Sequence, residues 1–456
     1  MPDVRRAPLS GWGLYPVEDC FIYRPERVQD LVRILSSDQQ SSYIPRGLGR
    51  SYGDTAQNKG AGVLLNELFN HFLSFDSSNG ILECEAGVSL AEINQYLVPK
   101  GFFLPVTPGT KFVTVGGAIA NDIHGKNHHK DGCFSEHVLD FHLLLADGSI
   151  QKCSRDENRE IFRATIGGIG LTGFILSARI RMQRVETGYI VVDYRKARNL
   201  DEALKLFSEG DNKYQHSVAW IDCLANGGSL GRSVLMRGNH AMRSELPKDI
   251  RDPLRIPDKR KLNVPFAFPS MVLNQLSIAL FNKVYYASFT DNTHKIVDYD
   301  SFFYPLDAVQ NWNRIYGKKG FVQYQVVLPP ETSREGLVSL LEKLSKSRRS
   351  SFLAVLKSSG SANEGLLSFP YTGHTLALDL PIKDQAVFPF LRELDDIVIK
   401  YGGRVYLAKD SEISPELFRQ MYPKLNQFQE LRQKLDPNQI FSSSMSRRLG
   451  ITEGTL

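Results

Sequence analysis

Three glycine-rich segments fall within the first 175 residues, and they limit the fold more than any other feature of the chain. The first reads Pro45-Arg46-Gly47-Leu48-Gly49-Arg50-Ser51-Tyr52-Gly53-Asp54, followed by Thr55. The second is Pro108-Gly109-Thr110 with Thr114-Val115-Gly116-Gly117-Ala118-Ile119-Ala120-Asn121-Asp122-Ile123-His124-Gly125. The third is Gly167-Gly168-Ile169-Gly170-Leu171-Thr172-Gly173. Glycine permits positive φ and close backbone approach, so successive N–H groups can converge on an anion. Arginines beside such a loop add charge-assisted bonds to phosphate. Small residues leave room for a diphosphate or a flat ring against the backbone.

The third segment contains a formal GxGxxG from Gly168 to Gly173. A dinucleotide fingerprint needs a strand before it and a helix after it. Here Glu157 to Thr165 is helix-like and Phe174 to Val185 strand-like, so the order is reversed and a Rossmann fold is rejected. No GxxxxGK[ST] occurs, which removes a P-loop as well.

The 456 residues carry 55 Lys+Arg against 50 Asp+Glu, a net charge of +5, with 42% hydrophobic and 23% charged residues. This composition is that of a globular protein and excludes a disordered, collagenous or integral membrane chain. The charge is too small for its length to suggest nucleic acid. Five scattered cysteines (Cys20, Cys84, Cys133, Cys153, Cys223) fit neither a disulfide framework nor a CxxC metal site. His124, His128, His129 and His137 lack a carboxylate partner and enclose Lys126 and Lys130, so no metal is expected. No signal-peptide core follows Arg5-Arg6, and the expected location is the cytoplasm.

Strand and helix patterns alternate up to about Val185, with a helix from Pro25 to Ser36 and strands at Ala61 to Leu65, Ile81 to Glu85, Val138 to Ala146 and Leu171 to Val185. Beyond Glu186 a second texture begins. Strands are predicted at Ser217 to Asp222, Gly320 to Leu328, Phe352 to Lys357 and His374 to Leu380. Helices at Asp201 to Ser208, Arg334 to Leu344 and Ala386 to Lys400 can cover them. Arg404-Val405-Tyr406-Leu407 reads as a last strand, ahead of a polar helical tail. Between Arg251 and Phe289, the basic residues Arg251, Arg255, Lys259, Arg260 and Lys261 precede an apolar stretch from Leu262 to Phe281. Pro265, Pro269, Asn274 and Gln275 interrupt it, so it is too broken to span a membrane. It reads either as a buried loop and helix or as a surface that meets lipid.

The three glycine segments in this order, with GFVQYQ (320–325), SFLAVLK (351–357), GGRVYLAKDS (402–411) and LDPNQIFSSSMSRRL (435–449), resemble the vanillyl-alcohol-oxidase or PCMH-type flavoproteins. The resemblance is essentially full-length and is nearest the branch that oxidises polyprenylphosphoryl-ribose. It implies an α+β, two-domain PCMH-type FAD-binding fold with an α+β substrate domain built on an antiparallel sheet. Residues 1–188 would be the FAD domain, 189–403 the substrate domain, and 404–456 a segment completing the FAD domain. The FAD pyrophosphate would lie against Arg46 to Thr55, Gly109, Thr114, Val115, Gly116 and Gly117. Asn121, Asp122, Ile123 and His124 would sit near the isoalloxazine, Gly173 and Ile175 near the adenine or ribose, and Tyr406 would complete the site. FAD is expected to be non-covalent, as in that branch, although many PCMH-type proteins tether it through a His near His124.

The resemblance gives Lys409 and His124 catalytic roles, Lys409 either as base or as electrostatic stabiliser of the reduced flavin. It gives Lys126, Lys357, Gln323 and Gln325 to the substrate, with Ser217, Trp220 and Tyr304 as weaker placements, Trp220 as core or pocket lining rather than chemistry. Gln323 and Gln325 are two apart on a strand and share a face. Ala377 stands where some members carry a reactive Cys, and Thr375 where an Asn is expected. The implied reaction is oxidation of the C2 hydroxyl of a polyprenyl-phosphate-linked pentose, the first half of a ribose-to-arabinose epimerisation that feeds arabinan and the cell wall. An NAD(P)H-dependent short-chain reductase would complete it. The implied location is cytoplasmic, with a peripheral membrane contact and no nucleic acid. The alternatives are a sugar or aldonolactone oxidase with a soluble substrate, and a non-catalytic flavin-binding partner protein.

Overall fold

The computed structural model describes residues 4–453 except 38, 258, 260, 270–273, 348, 350 and 352. Arg260, Phe352 and the middle of the 262–281 stretch therefore lie outside the described residues. The fold is α+β. A four-stranded sheet joins Val4–Ser10, Val17–Tyr23, Gly62–Leu65 and Tyr43–Arg46 in that order, with parallel pairs on both sides of Gly62–Leu65. A five-stranded antiparallel sheet follows, ordered Phe72–Asp76, Ile81–Glu85, Phe174–Arg181, Val138–Leu144 and Ile150–Ser154. Alternating burial along Ile81–Glu85 shows why these residues pair as they do, with one side chain in core and the next half-buried.

An eight-stranded antiparallel sheet forms the rest of the frame. Its order is Thr293–Asp298, Tyr189–Ala197, Ser233–His240, His216–Ile221, Ala354–Ser359, Gly373–Pro381, Phe321–Leu328 and Arg404–Val405. Every residue of Phe321–Leu328 is buried, because both faces of the sheet are covered. Leu337, Leu340, Leu341 and Leu344 of the helix Pro330–Ser347 and Leu391, Leu394 and Val398 of Val387–Lys400 belong to the core on the outer face. Both helices follow their apolar spacing.

Several strand expectations are trimmed. Leu171 to Val185 divides into Phe174–Arg181, which starts after Gly173 at φ +151, and Gln183–Arg184, which leaves that sheet to pair with Phe102–Phe103. Arg404 to Leu407 keeps only Arg404–Val405, because the chain then turns, with Lys409 N and Asp410 N both donating to Tyr406 O. That turn directs Lys409 inward. The tail crosses to the first sheet, where Tyr43 N donates to Ile440 O and Ser442 N to Tyr43 O.

Candidate active site

The first glycine segment leaves the strand Tyr43–Arg46 and folds against the second. A Cβ at Gly47 would lie 2.4 Å from Thr114 Oγ1, and Gly49 holds φ +65. Thr114 caps the short helix Val115–Ala120 by accepting from Gly117 N at 3.2 Å. Arg46 is half-buried in the loop and donates to Ser10 O at 2.7 Å and Ala56 O at 3.0 Å. Burial brings its guanidinium down to about 10. Its bonds hold the loop together. Arg50 behaves differently: it stacks over Trp12 at 3.9 Å, and its buried Nε has no partner.

These loops, the tail and the inner face of the large sheet enclose a cavity of about 640 Å³. It is lined by Arg46, Gly47, Leu48, Gly49, Arg50, Ser51, Tyr52, Thr55, Gly109, Thr114, Gly116, Gly117, Asn121, Ile123, His124, Gly173, Ile175 and Tyr406 among the residues expected at a flavin. Gly109 leaves open space where a Cβ would point. Asn121 Oδ1 and His124 Nδ1 are buried without partners, although Tyr406 OH fixes the backbone between them by donating to Asn121 O at 2.7 Å. Unpaired buried polar atoms beside a glycine cradle fit a bound dinucleotide that would satisfy them.

Six expected residues stand behind the lining. Gly53 packs so tightly on Asp410 O that no side chain fits. Asp54 is gripped by Arg448, and Val115 is fully buried in core. Asp122 accepts from Ser368, from Asn363 Nδ2 at 2.5 Å and from Ser135 N at 3.4 Å, holding the second segment in shape. Tyr304 is tied by its hydroxyl to Thr107 at 2.6 Å and to Asn94 Nδ2 at 2.9 Å. Ser217 is likewise buried, and its N–H donates to Lys126 O at 2.8 Å.

Lys126, Lys357, Lys409, Gln323, Gln325 and Trp220 line the same cavity. Burial pushes Lys126 and Lys409 down to about 7, with Lys357 adding to the shift, and Lys357 itself to about 8. Lys126 Nζ donates to Phe302 O and, at 3.3 Å, to Phe303 O. Lys409 Nζ lies 3.9 Å from the centre of the Tyr52 ring. Burial, then the charges of Lys357, His128 and Lys409, holds His124 well below its ordinary value. Its ring is neutral, and Gln325 Nε2 meets its Nε2 at 2.9 Å, so the ring proton is assigned to Nδ1.

Sequence reasoning missed two groups. An aromatic wall of Tyr194, Phe281, Tyr285 and Phe289, with Met236, closes one end of the cavity. Phe281 and Tyr285 lie on the helix Gln275–Ser288, whose Leu276, Leu280 and Val284 are 80%, 62% and 59% exposed. Asp379, fully buried, faces Gln323 and interacts with the Lys409 charge. The signal for it was an acid at i+4 and i+2 from Thr375 and Ala377, on one face of an apolar strand. Among the described residues no group of three potential metal ligands occurs.

Two family models match the chain: an FAD binding domain over residues 21–154 and a D-arabinono-1,4-lactone oxidase over 377–449. The chain is 38% identical over 447 residues to decaprenylphosphoryl-β-D-ribose oxidase of Mycolicibacterium smegmatis, covering 97% of each protein. It is 22% identical to L-gulonolactone oxidase of Mus musculus, over 92% of this chain and 93% of that one. It is 29% identical to Delta(24)-sterol reductase of Rattus norvegicus, over 50% and 45%. A glycine cradle with orphaned polar atoms and a full-length match converge on one assignment: the chain belongs to the decaprenylphosphoryl-β-D-ribose oxidase family of FAD-dependent oxidoreductases.

Proposed function

We propose that this enzyme oxidises the C2 hydroxyl of a polyprenylphosphoryl-β-D-ribose to the 2-keto sugar. The observation that carries this reading is the convergence of three half-buried lysines and two amides on one cavity, beside an aromatic end suited to a lipid tail. Bound FAD supplies the two-electron acceptor for the C2 hydride. Lys409, close to half-protonated at neutral pH, takes the hydroxyl proton on Nζ; a base with a value near the working pH is best matched to this task. Lys357 provides a cation for the substrate phosphate, and Lys126, anchored on Phe302 O and Phe303 O, adds a second positive charge. Arg50, with its free Nε, is the arginine proposed for the dinucleotide phosphates. His124 offers its Nδ1 proton, and Asn121 its Oδ1, to the ring system. The division into 1–188, 189–403 and 404–456 is proposed on the same basis. FAD would be held without a covalent bond, so acid precipitation should leave the pellet colourless.

The basic residues from Arg251 and the exposed leucines of Gln275–Ser288 suit contact with an anionic membrane surface. A ketone product also requires re-reduction, which a short-chain NAD(P)H-dependent reductase partner would supply. The test is anaerobic mixing with polyprenylphosphoryl-β-D-ribose: the yellow flavin absorbance should bleach. Absence of bleaching would sink the reading. The lactone-oxidase match over 377–449 favours a second reading, oxidation of a soluble sugar or aldonolactone; bleaching by such compounds alone would establish it instead.

A further inference from the structure

Gln323 and Gln325 enter the cavity from one strand, and the atoms behind them determine which end of each amide faces inward. Gln323 lies directly opposite Asp379 in the antiparallel pairing of Phe321–Leu328 with Gly373–Pro381. Each oxygen of Asp379 takes one donor: Gln323 Nε2 at 2.5 Å and the Tyr316 hydroxyl at 3.1 Å. A carboxylate only accepts, so the amide must turn its nitrogen towards Asp379. The Tyr52 hydroxyl interacts with Gln323 as well. The oxygen is left for the cavity. Gln325 takes the same sense when the neutral His124 carries its proton on Nδ1: its Nε2 then donates to His124 Nε2 at 2.9 Å and to Thr375 Oγ1 at 3.2 Å. Opposite Gln325, the small Ala377 leaves the space in front of both amides open.

We infer that Asp379 is a positioning residue that turns the Gln323 carbonyl oxygen into the cavity, so that Gln323 and Gln325 form a pair of acceptors selecting the alcohol substrate over its ketone product. The inference rests on the proposed oxidation, with the sugar against these amides. In the resting complex a secondary alcohol brings its single O–H donor to an amide oxygen, and that hydrogen swings to Lys409 Nζ only as it is removed. After oxidation the same position carries a carbonyl, and two acceptors then face each other with no proton between them. A buried acceptor without a donor is strongly disfavoured. Recognition and product release thus come from one orientation of one side chain, fixed from behind by a residue that does not itself line the cavity.

The test is Asp379→Asn, which keeps shape and volume but offers an N–H to Gln323 and allows its amide to reverse. KM for polyprenylphosphoryl-β-D-ribose should rise about tenfold and the Ki of the 2-keto product fall about fivefold, with kcat, read above about pH 8 where Lys409 is deprotonated in parent and variant alike, changed less than about twofold. FAD content, read from the absorbance spectrum, should be unchanged. The double variant Asp379→Asn with Gln323→Glu moves the carboxylate across the strand pair at constant net charge. It should bring KM and Ki back to within about threefold of the parent, which a merely structural role for Asp379 would not do. KM and Ki unaltered in an FAD-replete Asp379→Asn would overturn the inference. The parent enzyme gives an answer that depends on no variant: the ketone must bind at least about tenfold more weakly than the alcohol, and equal affinities would overturn it. Gln323→Ala with unaltered KM and normal bleaching would remove the sugar from this wall and the inference with it; lack of bleaching in the parent would mark failure of the proposed oxidation itself.

Discussion

Arg448 donates through Nε and Nη2 to the two oxygens of Asp54, at 2.9 and 2.8 Å, and through Nη2 to Asp410 at 2.9 Å. One arginine of the tail thereby joins the first glycine loop to the residue that follows Lys409. Asp54 stands behind the cavity lining, and its role is to hold the loop.

Arg448→Ala should therefore destabilise the fold by about 3 kcal/mol, because it leaves two buried carboxylates without their cation. FAD should also bind more weakly. Thermal denaturation with and without added FAD checks both.

Lys409→Ala should keep its FAD and lose about 10²- to 10⁴-fold in kcat. In the parent, kcat/KM should rise with pH through about 7, as the proton leaves Lys409. Asp379 opposes that loss and Lys357 favours it. Stopped-flow bleaching across pH measures the profile. A flat profile would contradict the base role.

The three lysines also shape stability. Their folded values of about 7, 8 and 7 lie below that of an unfolded lysine, so above pH 7 the unfolded chain binds more protons. Stability should rise between about pH 7 and 8, before unfolded cysteines begin to titrate near 8.5 and reverse the trend. Lys357→Met should raise the melting temperature at pH 7 by about 2 °C while weakening substrate binding, which calorimetry and KM together resolve.

All five cysteines are free and buried, and none lines the cavity. A thiol-directed electrophile that fits the cavity should leave the parent enzyme active. Ala377→Cys places a thiol on the cavity wall and should make inactivation time-dependent, with one adduct by mass spectrometry.

Leu276 and Leu280 are the most exposed apolar side chains of the helix Gln275–Ser288. Leu276→Asp with Leu280→Asp should reduce co-sedimentation with anionic phospholipid vesicles at least about fivefold. Unchanged sedimentation would count against the membrane contact.

What the sequence made legible was local. Glycine loops announce themselves because close backbone approach needs glycine, and Gln323 and Gln325 share a face because a strand alternates. The α+β character followed from the change in pattern near Glu186. What stayed hidden depends on distant partners. Arg46 reads as a phosphate ligand, yet two of its five N–H groups are already spent on Ser10 O and Ala56 O. Tyr304 reads as pocket lining, yet Asn94 and Thr107 hold it inside the wall. The aromatic end draws Tyr194 from a strand and Tyr285 and Phe289 from a helix and its C-cap about 90 residues on, and each alone looks like ordinary core. Lys409 became interpretable only through a resemblance, because its position is set by a turn that interrupts an apparent strand.

The bonds between Tyr43 and residues 440–442, like those of Arg448, have a consequence in time. A ribosome delivers the loop at 46–55 long before it delivers Lys409 or the segment that clasps Tyr43. The cavity therefore cannot close around a dinucleotide until about 400 residues after its first loop has been made, and premature termination anywhere before residue 440 should yield a colourless product however well its sheets have formed.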